Sequence, residues 1–397
     1  MATFSVRFLG CKVSHTDALA VRERLNADGH GEVRGGGDIA IVNTCCVTHE
    51  AVRKSRHAIA SAARTHRRVY VTGCGANLAG GALEGIGANV TVVAGRSEEA
   101  AAFVAGDVGA IACVQSEPRL DRVRAFVKIQ DGCSFSCNFC VVPLVRGTSR
   151  SRRGGDVLRE VERRVAQGHR EVVLTGINLG CYRDREGGYK LSRLVREVGA
   201  VPGLARLRIS SIEVNHVNAD LVAALRETPT VSRHLHVPLQ SGDDGVLRDM
   251  ARRYDARGYL ARVAPLRDEF NLTSDVIVGF PTEDERAFRN TLRVVEEAGI
   301  TKVHVFPYSP RPGTATERQD RVPREIKKER SARLRNASHE ASLARWRTKI
   351  GREDVVLVDR PGRGYGDDYS PWLVDAPVGE LVRVRGAAVS EEGVLAA

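Results

Sequence analysis

The sequence predicts an α/β protein in three parts: a parallel α/β domain, an open barrel of six β/α units and a small antiparallel β-barrel. Over the first ~120 residues, and again from residue 123 to about residue 310, short apolar strands alternate with helical stretches, which is typical of parallel sheets. The last ~45 residues contain short β runs between glycine turns, which is typical of a small barrel. A chain of 397 residues has room for two or three such domains.

Three strands of the first part each end just before a cysteine. Because ligands gather at the carboxyl edge of a parallel sheet, three cysteines that are far apart in sequence are expected to meet there. The alternative is three buried or idle thiols, a common fate of single cysteines. The strands and cysteines are Val6–Leu9 before Cys11, Ile39–Val42 before Cys45, and Val69–Thr72 before Cys74.

The central part repeats a strand followed by a helix six times, which predicts an open, partial barrel related to the eight-fold β/α barrel. Active sites of the complete barrel lie at the carboxyl ends of its strands. Four of these ends carry polar and Gly/Pro motifs; each alone could be an ordinary turn, but together they indicate a site. The predicted strands are Ala125–Ile129, Glu171–Thr175, Leu207–Ser210, His234–Val237, Thr273–Val278 and Val303–Phe306. The motifs span Thr175–Asn178, Ser210–Glu213, His236–Gly242 and Val278–Pro281.

A strongly basic segment follows the barrel, and one helix is predicted over 324–348. Residues 321–352 contain eleven Lys/Arg and three Glu, so they carry +8 of the chain's net charge of +11. This concentration indicates a polyanion partner, nucleic acid first, with a solvated helix surface as the alternative. The expected apolar stripe comprises Ile326, Leu334, Ala337, Ala341 and Ala344.

Within this segment, Lys327, Lys328 and Arg335 are the residues that we expect to contact RNA phosphates. The next candidates are Arg146 and Arg150, in a loop that holds four arginines and no acid.

Composition excludes several classes of protein. No apolar run approaches the ~18 residues that a membrane span needs, and the first residues show no signal peptide. Nine cysteines, an odd number in a long chain, favour a reducing compartment with thiolates used for metal. We therefore expect a cytoplasmic protein without a membrane partner.

The most informative motif is a loop with three cysteines, Cys133, Cys137 and Cys140, which follows an apolar strand. Three thiolates are one short of a closed zinc site, and on an iron–sulfur cubane they would leave one iron open to a small molecule. The loop resembles the signature of the radical S-adenosylmethionine (SAM) enzymes. The alternative is an incomplete zinc knuckle that takes a distant ligand.

With the other motifs, nearly the whole chain resembles the tRNA methylthiotransferases, in particular the group that acts on N6-threonylcarbamoyladenosine beside the anticodon. The resemblance implies a flavodoxin-like domain over 1–115 with an auxiliary [4Fe–4S] cluster, a radical SAM core over 119–345 and an RNA-binding TRAM domain over 346–397. The runs that carry the resemblance are Gly10–Val13, Asn43–Cys45, Gly73–Cys74, Ile129–Cys133, Leu174–Gly180, Ser210–Glu213, Asp275–Pro281 and Phe306–Ser309.

The resemblance also implies the cofactors and the chemistry. Cys133, Cys137 and Cys140 would hold the SAM-cleaving cluster, and Cys11, Cys45 and Cys74 the auxiliary one. A 5′-deoxyadenosyl radical would take the hydrogen from adenine C2, which then receives a methylated sulfur. An electron donor such as flavodoxin or ferredoxin and a sulfur donor are implied partners beside tRNA. The residues implied around SAM are Phe139, Gly176, Asn178, Ser211, Glu213, Gln240 and Gly279.

Several alternatives remain open at this point. Cys46, at a position that is usually Thr in the family, competes with Cys45 as a ligand. Ile177 stands where the isopentenyladenosine group typically has Gln, which disfavours that substrate. A methylthiotransferase for a ribosomal-protein aspartate is a further rival. From a different class, the chain could be a non-catalytic, metal-stabilised RNA-binding protein.

Overall fold

The structure is a computed structural model that describes residues 1–78, 80–110 and 123–397. The chain divides into two compact units. The first comprises the described part of Met1–Arg119 with Asp131–Ser149 and Ser309–Arg318, and the second comprises the described part of Leu120–Gln130 with Arg150–Tyr308 and Gln319–Ala397. The expected boundary between residues 115 and 119 lies outside the described residues.

The first unit contains a five-stranded parallel sheet with the strand order β2-β1-β3-β4-β5, which is the flavodoxin order. The predicted flavodoxin-like domain is thereby confirmed. Its strands are β1 Thr3–Phe8, β2 Gly31–Glu32, β3 Ile39–Thr44, β4 Arg68–Gly73 and β5 Val90–Val92. Its helices are α1 Lys12–Ala27, α2 His49–Thr65, α3 Ser97–Val108 and the short α4 Val142–Arg146.

Strand β3 is buried at every position, as expected for the middle of a parallel sheet that has helices on both faces. Ile39 and Ile41 pack in one hydrophobic cluster with Val104 of α3, whereas Ala40 and Val42 pack in another with Ile59 of α2. The apolar run over β3 is therefore continuous because both of its faces are covered.

The second unit contains two three-stranded sheets, β12-β9-β6 and β13-β14-β15, and every pair in them is parallel. Leu207, in the first of these sheets, forms a parallel bridge with Val231, which lies just before the second sheet, so the bridge links the two sheets. The six strands share one hydrophobic core with their helices, which confirms the partial β/α barrel. The strands are β6 Arg124–Lys128, β9 Glu171–Thr175, β12 Arg206–Ile209, β13 His234–His236, β14 Asn271–Val278 and β15 Ile300–Pro307.

The barrel helices follow their strands in the expected alternation. They are α5 Gly154–Ala166, α6 Leu191–Gly199, α7 Ala219–Glu227, α8 Asp244–Asp249, α9 Ala256–Val263 and α10 Glu285–Glu297. Short strands occur at β7 Gln130–Asp131, β8 Arg150–Ser151, β10 Arg183–Asp184 and β11 Tyr189–Lys190, and 3₁₀ turns at Leu179–Cys181 and Val214–His216.

Helix α11, Arg324–Arg347, confirms the predicted helix but not its apolar stripe, because Ala344 is exposed. The buried side is largely polar. Ser338 Oγ accepts a hydrogen bond from Val303 N (2.8 Å), and Ser342 Oγ donates to Thr301 O (2.7 Å). These serines satisfy backbone groups of β15, which the alanine spacing could not reveal. The buried positions are Lys327, Arg330, Ser331, Leu334, Ser338 and Ser342.

The C-terminal segment forms a closed five-stranded barrel, as predicted, with the order β16-β17-β18-β20-β19. It is not wholly antiparallel, because β18 and β20 run parallel where Trp372 pairs with Val394. Each of these two strands is antiparallel to its other neighbour, so closing the ring brings two strands of the same direction together. The strands are β16 Glu353–Arg360, β17 Arg363–Tyr365, β18 Pro371–Leu373, β19 Leu381–Ser390 and β20 Gly393–Ala396.

Buried ion pairs and hydrogen bonds link the C-terminal barrel to strands β9 and β12 of the β/α barrel, which belongs to the same unit. Glu171 is fully buried and contacts Arg206 (3.3 Å) and Arg208 (2.7 Å). Arg208 also donates to Gly366 O (2.8 Å), beyond β17. Burial raises the pKa of Glu171, but the arginines more than offset it and the pKa ends below its usual value. Within 1–78, 80–110 and 123–397, no helix is both long and apolar enough to cross a membrane.

Candidate active site

The loop with three cysteines lies in the first unit, between Gly132 and helix α4. Gly132 has a φ of +67°, and a Cβ there would lie 2.1 Å from Thr148 O, so only glycine fits. Cys133 N donates to Gly147 O (3.0 Å), and Cys140 N donates to Cys137 O (3.0 Å). Phe135 N donates to Cys133 Sγ (3.4 Å), a contact of the kind that stabilises a thiolate. All three cysteines of the loop are partly exposed.

The N-terminal cysteines lie at the carboxyl ends of β1, β3 and β4, as the strand pattern predicts. Gly10 has a φ of +122°, and a Cβ on it would lie 3.1 Å from Cys45 Cβ. Gly73 has a φ of +87°, and a Cβ on it would lie 2.7 Å from Thr44 O. The glycine before Cys11 and the glycine before Cys74 therefore permit the close approach of these turns to the end of β3.

Burial and charge give the N-terminal cysteines different surroundings. Cys11 is exposed, whereas Cys45 and Cys74 are buried. Burial raises the pKa of the Cys45 thiol and raises that of Cys74 to about 12. The charge on Cys11 raises the pKa of both, whereas the guanidinium of Arg146 lowers both, so the three sulfurs and this arginine act on each other.

Cys46 is fully buried and lies in one hydrophobic cluster with Cys74, Val141 and Val145. Its carbonyl oxygen accepts a hydrogen bond from Arg311 Nη1 (3.2 Å). Burial raises the pKa of its thiol above the usual value. Cys46 therefore shares a hydrophobic cluster with Cys74 and has its backbone held by Arg311.

Arg146, expected to contact RNA, does not lie on the surface. Its side chain is only 6% exposed and forms ion pairs with Asp17 (2.7 Å) and Asp131 (3.0 Å). Its Nε also donates to Cys74 Sγ (2.9 Å). The expectation is wrong for this residue because two buried carboxylates and a sulfur surround it. Arg150, the other loop candidate, is partly exposed.

The donors of both cysteine sets fit iron–sulfur clusters. Each set offers three thiol groups, and in each a neighbouring N–H points at one sulfur, from Phe135 N to Cys133 and from Arg146 Nε to Cys74. Thiolate ligands with hydrogen bonds to sulfur are the usual environment of such clusters.

In the second unit, the residues after β9 form a compact turn. Asn178 is 7% exposed, and its backbone N–H donates to Gln130 Oε1 (2.8 Å). A Cβ on Gly176 would lie 3.0 Å from the same oxygen. Gln130 thus holds the Gly176–Asn178 turn, a role that its place in the run Ile129–Cys133 did not predict.

The backbone has a positive φ at one residue after each of two further strands, Gln240 and Gly279. Gln240 has a φ of +66° and is held by hydrogen bonds to Asp275 O (2.8 Å) and from Ile277 N (2.9 Å). Such strain in a non-glycine residue is typical of functional sites. Gly279 has a φ of +73° and donates to Glu283 Oε1 (2.8 Å).

Ser211 and Glu213 follow β12. Ser211 is partly exposed and Glu213 is 8% exposed. Glu213 accepts hydrogen bonds from Asn215 N (3.0 Å) and Arg252 Nη2 (3.3 Å), so two neighbours fix its carboxylate. Phe139, in the cysteine loop of the first unit, is partly exposed.

Lys327 is a second basic residue that does not lie where the sequence suggested. It is 7% exposed, pairs with Asp320, and its Nζ donates to Tyr308 O (3.2 Å). Its stem fills the space beside Gly279, since a Cβ there would lie 2.4 Å from Lys327 Cγ. Lys327 is therefore not an RNA-facing residue, whereas Lys328 and Arg335 are exposed.

Sequence reasoning thus missed the buried role of both basic side chains. Charge density alone cannot separate a buried cation from a solvated one. The only signal for Lys327 is helical spacing, because it lies seven residues before Leu334 and so shares its face.

The sequence of the chain matches known families in both units. Residues 127–295 match the radical SAM superfamily, and residues 3–95 match an uncharacterized protein family, UPF0004. The chain is 33% identical to the threonylcarbamoyladenosine tRNA methylthiotransferase MtaB of Thermotoga maritima, over 100% of this chain and 96% of that protein. It is 35% identical to the tRNA-2-methylthio-N(6)-dimethylallyladenosine synthase of Thermobifida fusca, over 92% of this chain and 79% of that protein.

Among solved structures, the fold is similar to that of the radical SAM methyltransferase TsrM from Kitasatospora setae. The TM-score is 0.58 at 15% sequence identity, over 80% of this chain and 77% of that one. This likeness concerns the fold alone. The fold, the cysteine sets and the full-length similarity to T. maritima MtaB lead to one conclusion: the chain belongs to the radical SAM tRNA methylthiotransferase family.

Proposed function

We propose that the protein methylthiolates C2 of N6-threonylcarbamoyladenosine in tRNA. The observation that carries this proposal is similarity over the whole length: relatives named for this substrate are 33% and 32% identical and are covered over 96% and 97% of their own chains. Relatives named for dimethylallyladenosine reach 35% and 33% and are covered over 79% and 81%, and one relative named for threonylcarbamoyladenosine, of Bacillus subtilis, is likewise covered over 80%. The dimethylallyl substrate is the second candidate, because these identities are equally high.

We propose two [4Fe–4S] clusters, one on Cys133, Cys137 and Cys140 and one on Cys11, Cys45 and Cys74. When bound, the first would supply an electron to SAM for radical formation at adenine C2, and the second would supply the site of the sulfur. Three ligands per cluster leave one iron for a small molecule in each case.

The chain's own residues hold the proposed ligands in place. Gly132 lets the loop turn beneath Cys133, and Gly10 and Gly73 let Cys11 and Cys74 approach the end of β3. Arg146 keeps a positive charge beside Cys74, which favours the thiolate that metal binding requires. We propose that Cys46, which is fully buried and whose carbonyl oxygen is held by Arg311, is a packing residue rather than a ligand.

We assign SAM to the carboxyl ends of the barrel strands. Asn178 and Gly176, held by Gln130, would face the methionine end, whereas Ser211, Glu213 and Gln240 would face the ribose end. The adenine would lie by Gly279, whose positive φ and missing side chain permit a close approach to the backbone. Lys327 would support the Gly279 backbone from behind.

We propose that tRNA contacts the exposed side of α11 through Lys328 and Arg335, with Arg150 as a further contact. A reductant such as flavodoxin or ferredoxin and a separate sulfur donor would complete the reaction. We propose the cytoplasm as the protein's compartment, because the proposed substrate is tRNA.

Mass spectrometry of nucleosides tests the proposal. The anaerobically reconstituted protein, with SAM, sulfide and a reductant, should add CH₃S in place of H on tRNA that carries threonylcarbamoyladenosine. The matched control is tRNA that carries dimethylallyladenosine. Product from the control tRNA alone would move the chain to the second candidate, and product from neither would refute both.

A further inference from the structure

A polar cluster in the second unit has no part in the sites described above. It consists of His236, the last residue of β13, with Asp275 on β14 and His304 on β15. The imidazole nitrogens and a carboxylate oxygen all lie within 4.8 Å of one another. His236 Nε2 lies 3.2 Å from Asp275 Oδ2, and the rings of His236 and His304 are 5.5 Å apart.

The strand register brings these side chains together. Asp275 is the direct partner of His304 in the pairing of β14 with β15, and His236 is the partner of Thr273. Because side chains alternate between faces, Thr273 and Asp275 share the face opposite to Val276 and Val278. Val276 and Val278 belong to the hydrophobic core that includes Phe288 of α10.

The cluster therefore lies on the face turned away from the helices, which in a β/α barrel is the inner face that holds substrate. It also lies close to the catalytic end, since β13 ends at His236. Exposure increases across it, from 11% for the His236 side chain to 26% for Asp275, and His304 is exposed.

A supporting residue fixes the buried side of the cluster. Thr273 is 6% exposed, and its hydroxyl lies 2.9 Å from His236 Nδ1 and 3.0 Å from His234 Nε2. The His236 ring is thus held on one nitrogen by Thr273 and on the other by Asp275. The Asp275 carboxylate therefore faces a His236 ring whose orientation is fixed.

We propose that His236, Asp275 and His304 form a binding site for the substituent on N6 of the target adenine, and that this substituent is polar and hydrogen-bonding. The inference rests on the proposed function and deepens it. A threonylcarbamoyl group carries a carbonyl, an N–H, a hydroxyl and a carboxylate. His304 donates to the carboxylate or carbonyl, and Asp275 accepts from the N–H or hydroxyl.

The same cluster disfavours the apolar alternative. A dimethylallyl group offers no donor or acceptor, so its entry would remove water from the His304 imidazole and the Asp275 carboxylate without replacing the hydrogen bonds. A site built to hydrogen-bond a substrate rejects analogues that lack the polar groups much more strongly than an apolar pocket rejects an extra methylene. The three side chains thus determine specificity between the two substrate classes.

The test compares binding of three anticodon stem-loops that differ only in the N6 substituent: threonylcarbamoyl, dimethylallyl and none. The reconstituted, full-length protein is the wild type or one of two variants, His304→Phe and His304→Gln. His304→Phe keeps the ring but removes its hydrogen bonds, so binding of the threonylcarbamoyl RNA should weaken roughly 10-fold or more, whereas binding of the unmodified RNA should not change. His304→Gln, which retains a donor, should restore part of the loss.

Two controls make the result specific. His57→Phe changes an exposed histidine on α2 and should leave all three affinities unchanged. Iron content should match the wild type in every variant, because none of the changed side chains belongs to the proposed cysteine ligands.

The outcomes separate this inference from the proposed function. A wild type that prefers dimethylallyl RNA would overturn both. A wild type that prefers threonylcarbamoyl RNA, with the same preference in His304→Phe, would overturn the inference alone. Metal analysis decides one rival: about one extra zinc or manganese per chain that is lost in His304→Phe would show that the cluster holds a cation instead.

Discussion

The two cysteine sets of the first unit differ in how the fold builds them. Cys133, Cys137 and Cys140 come from one loop and are partly exposed. Cys11, Cys45 and Cys74 come from the ends of three strands, and two of them are buried beside Arg146. The first set depends on one local turn, whereas the second exists only when the sheet has formed.

The two cysteine sets also differ in the groups that contact their sulfur atoms. In the part of the chain that the structure describes, a hydrogen bond from the backbone N–H of Phe135 reaches the sulfur of Cys133, whereas the contact at Cys74 Sγ is a buried guanidinium. Hydrogen bonds and charge near sulfur shift the reduction potential of a cluster. We therefore expect two clusters with separate functions and separate potentials.

The largest expected effect separates the two functions. Cys140→Ala removes a ligand of the proposed SAM-cleaving cluster, so formation of 5′-deoxyadenosine should be lost. Cys45→Ser should keep that cleavage and lose the methylthiolated nucleoside, because only the auxiliary site is damaged. Both products are measured in one anaerobic reaction. Loss of SAM cleavage in Cys45→Ser would show that the two sets do not work independently.

The next effect concerns the buried cation beside Cys74. Arg146→Gln removes the charge that faces Asp17 and Asp131, so the free energy of unfolding should fall by about 3 kcal/mol. The auxiliary cluster should also become harder to reduce, while the other cluster keeps its potential. Denaturant unfolding and a redox titration followed by electron paramagnetic resonance measure these changes.

Arg53→Gln is the matched control, since Arg53 is exposed on α2 and pairs with Glu50 at the surface. It should change stability by less than about 1 kcal/mol. An Arg146→Gln protein as stable as this control would contradict the buried role of Arg146.

A smaller effect distinguishes the neighbouring cysteines. Cys46→Ala should retain full iron and lose only about 1 kcal/mol of stability, because it removes a buried sulfur from an apolar cluster. Cys45→Ser should lose iron instead. Iron analysis and thermal unfolding of the two proteins make the comparison, and iron loss in Cys46→Ala would transfer the ligand role to Cys46.

The smallest expected effect concerns tRNA binding, and it compares exposed and buried basic side chains of α11. Lys328 and Arg335 are exposed, whereas Lys327 is buried against Asp320. The double change Lys328→Gln and Arg335→Gln should reduce the slope of log affinity for tRNA against log salt by about 0.7 to 0.9 per lost phosphate contact. Lys327→Gln should leave that slope unchanged, and an equal slope in all proteins would place the RNA elsewhere.

Much of the fold follows from patterns that can be read locally. The alternation of apolar strands and helices predicted the parallel sheets of both units, and the strand ends before Cys11, Cys45 and Cys74 predicted the sheet edge at which these cysteines lie. The buried sides of Arg146 and Lys327 could not be predicted, because each depends on carboxylates brought in from elsewhere, Asp17 and Asp131 for one and Asp320 for the other. The parallel pair β18–β20 likewise follows from barrel closure rather than from any single segment.

The central claim, two separate clusters on two cysteine sets, is tested most directly by counting iron and sulfide per chain after anaerobic reconstitution. We predict about eight iron and matching sulfide in the wild type, about four in Cys140→Ala, about four in Cys45→Ser and close to none when both are changed. About four iron in the wild type, or an unchanged count in Cys45→Ser, would contradict the account.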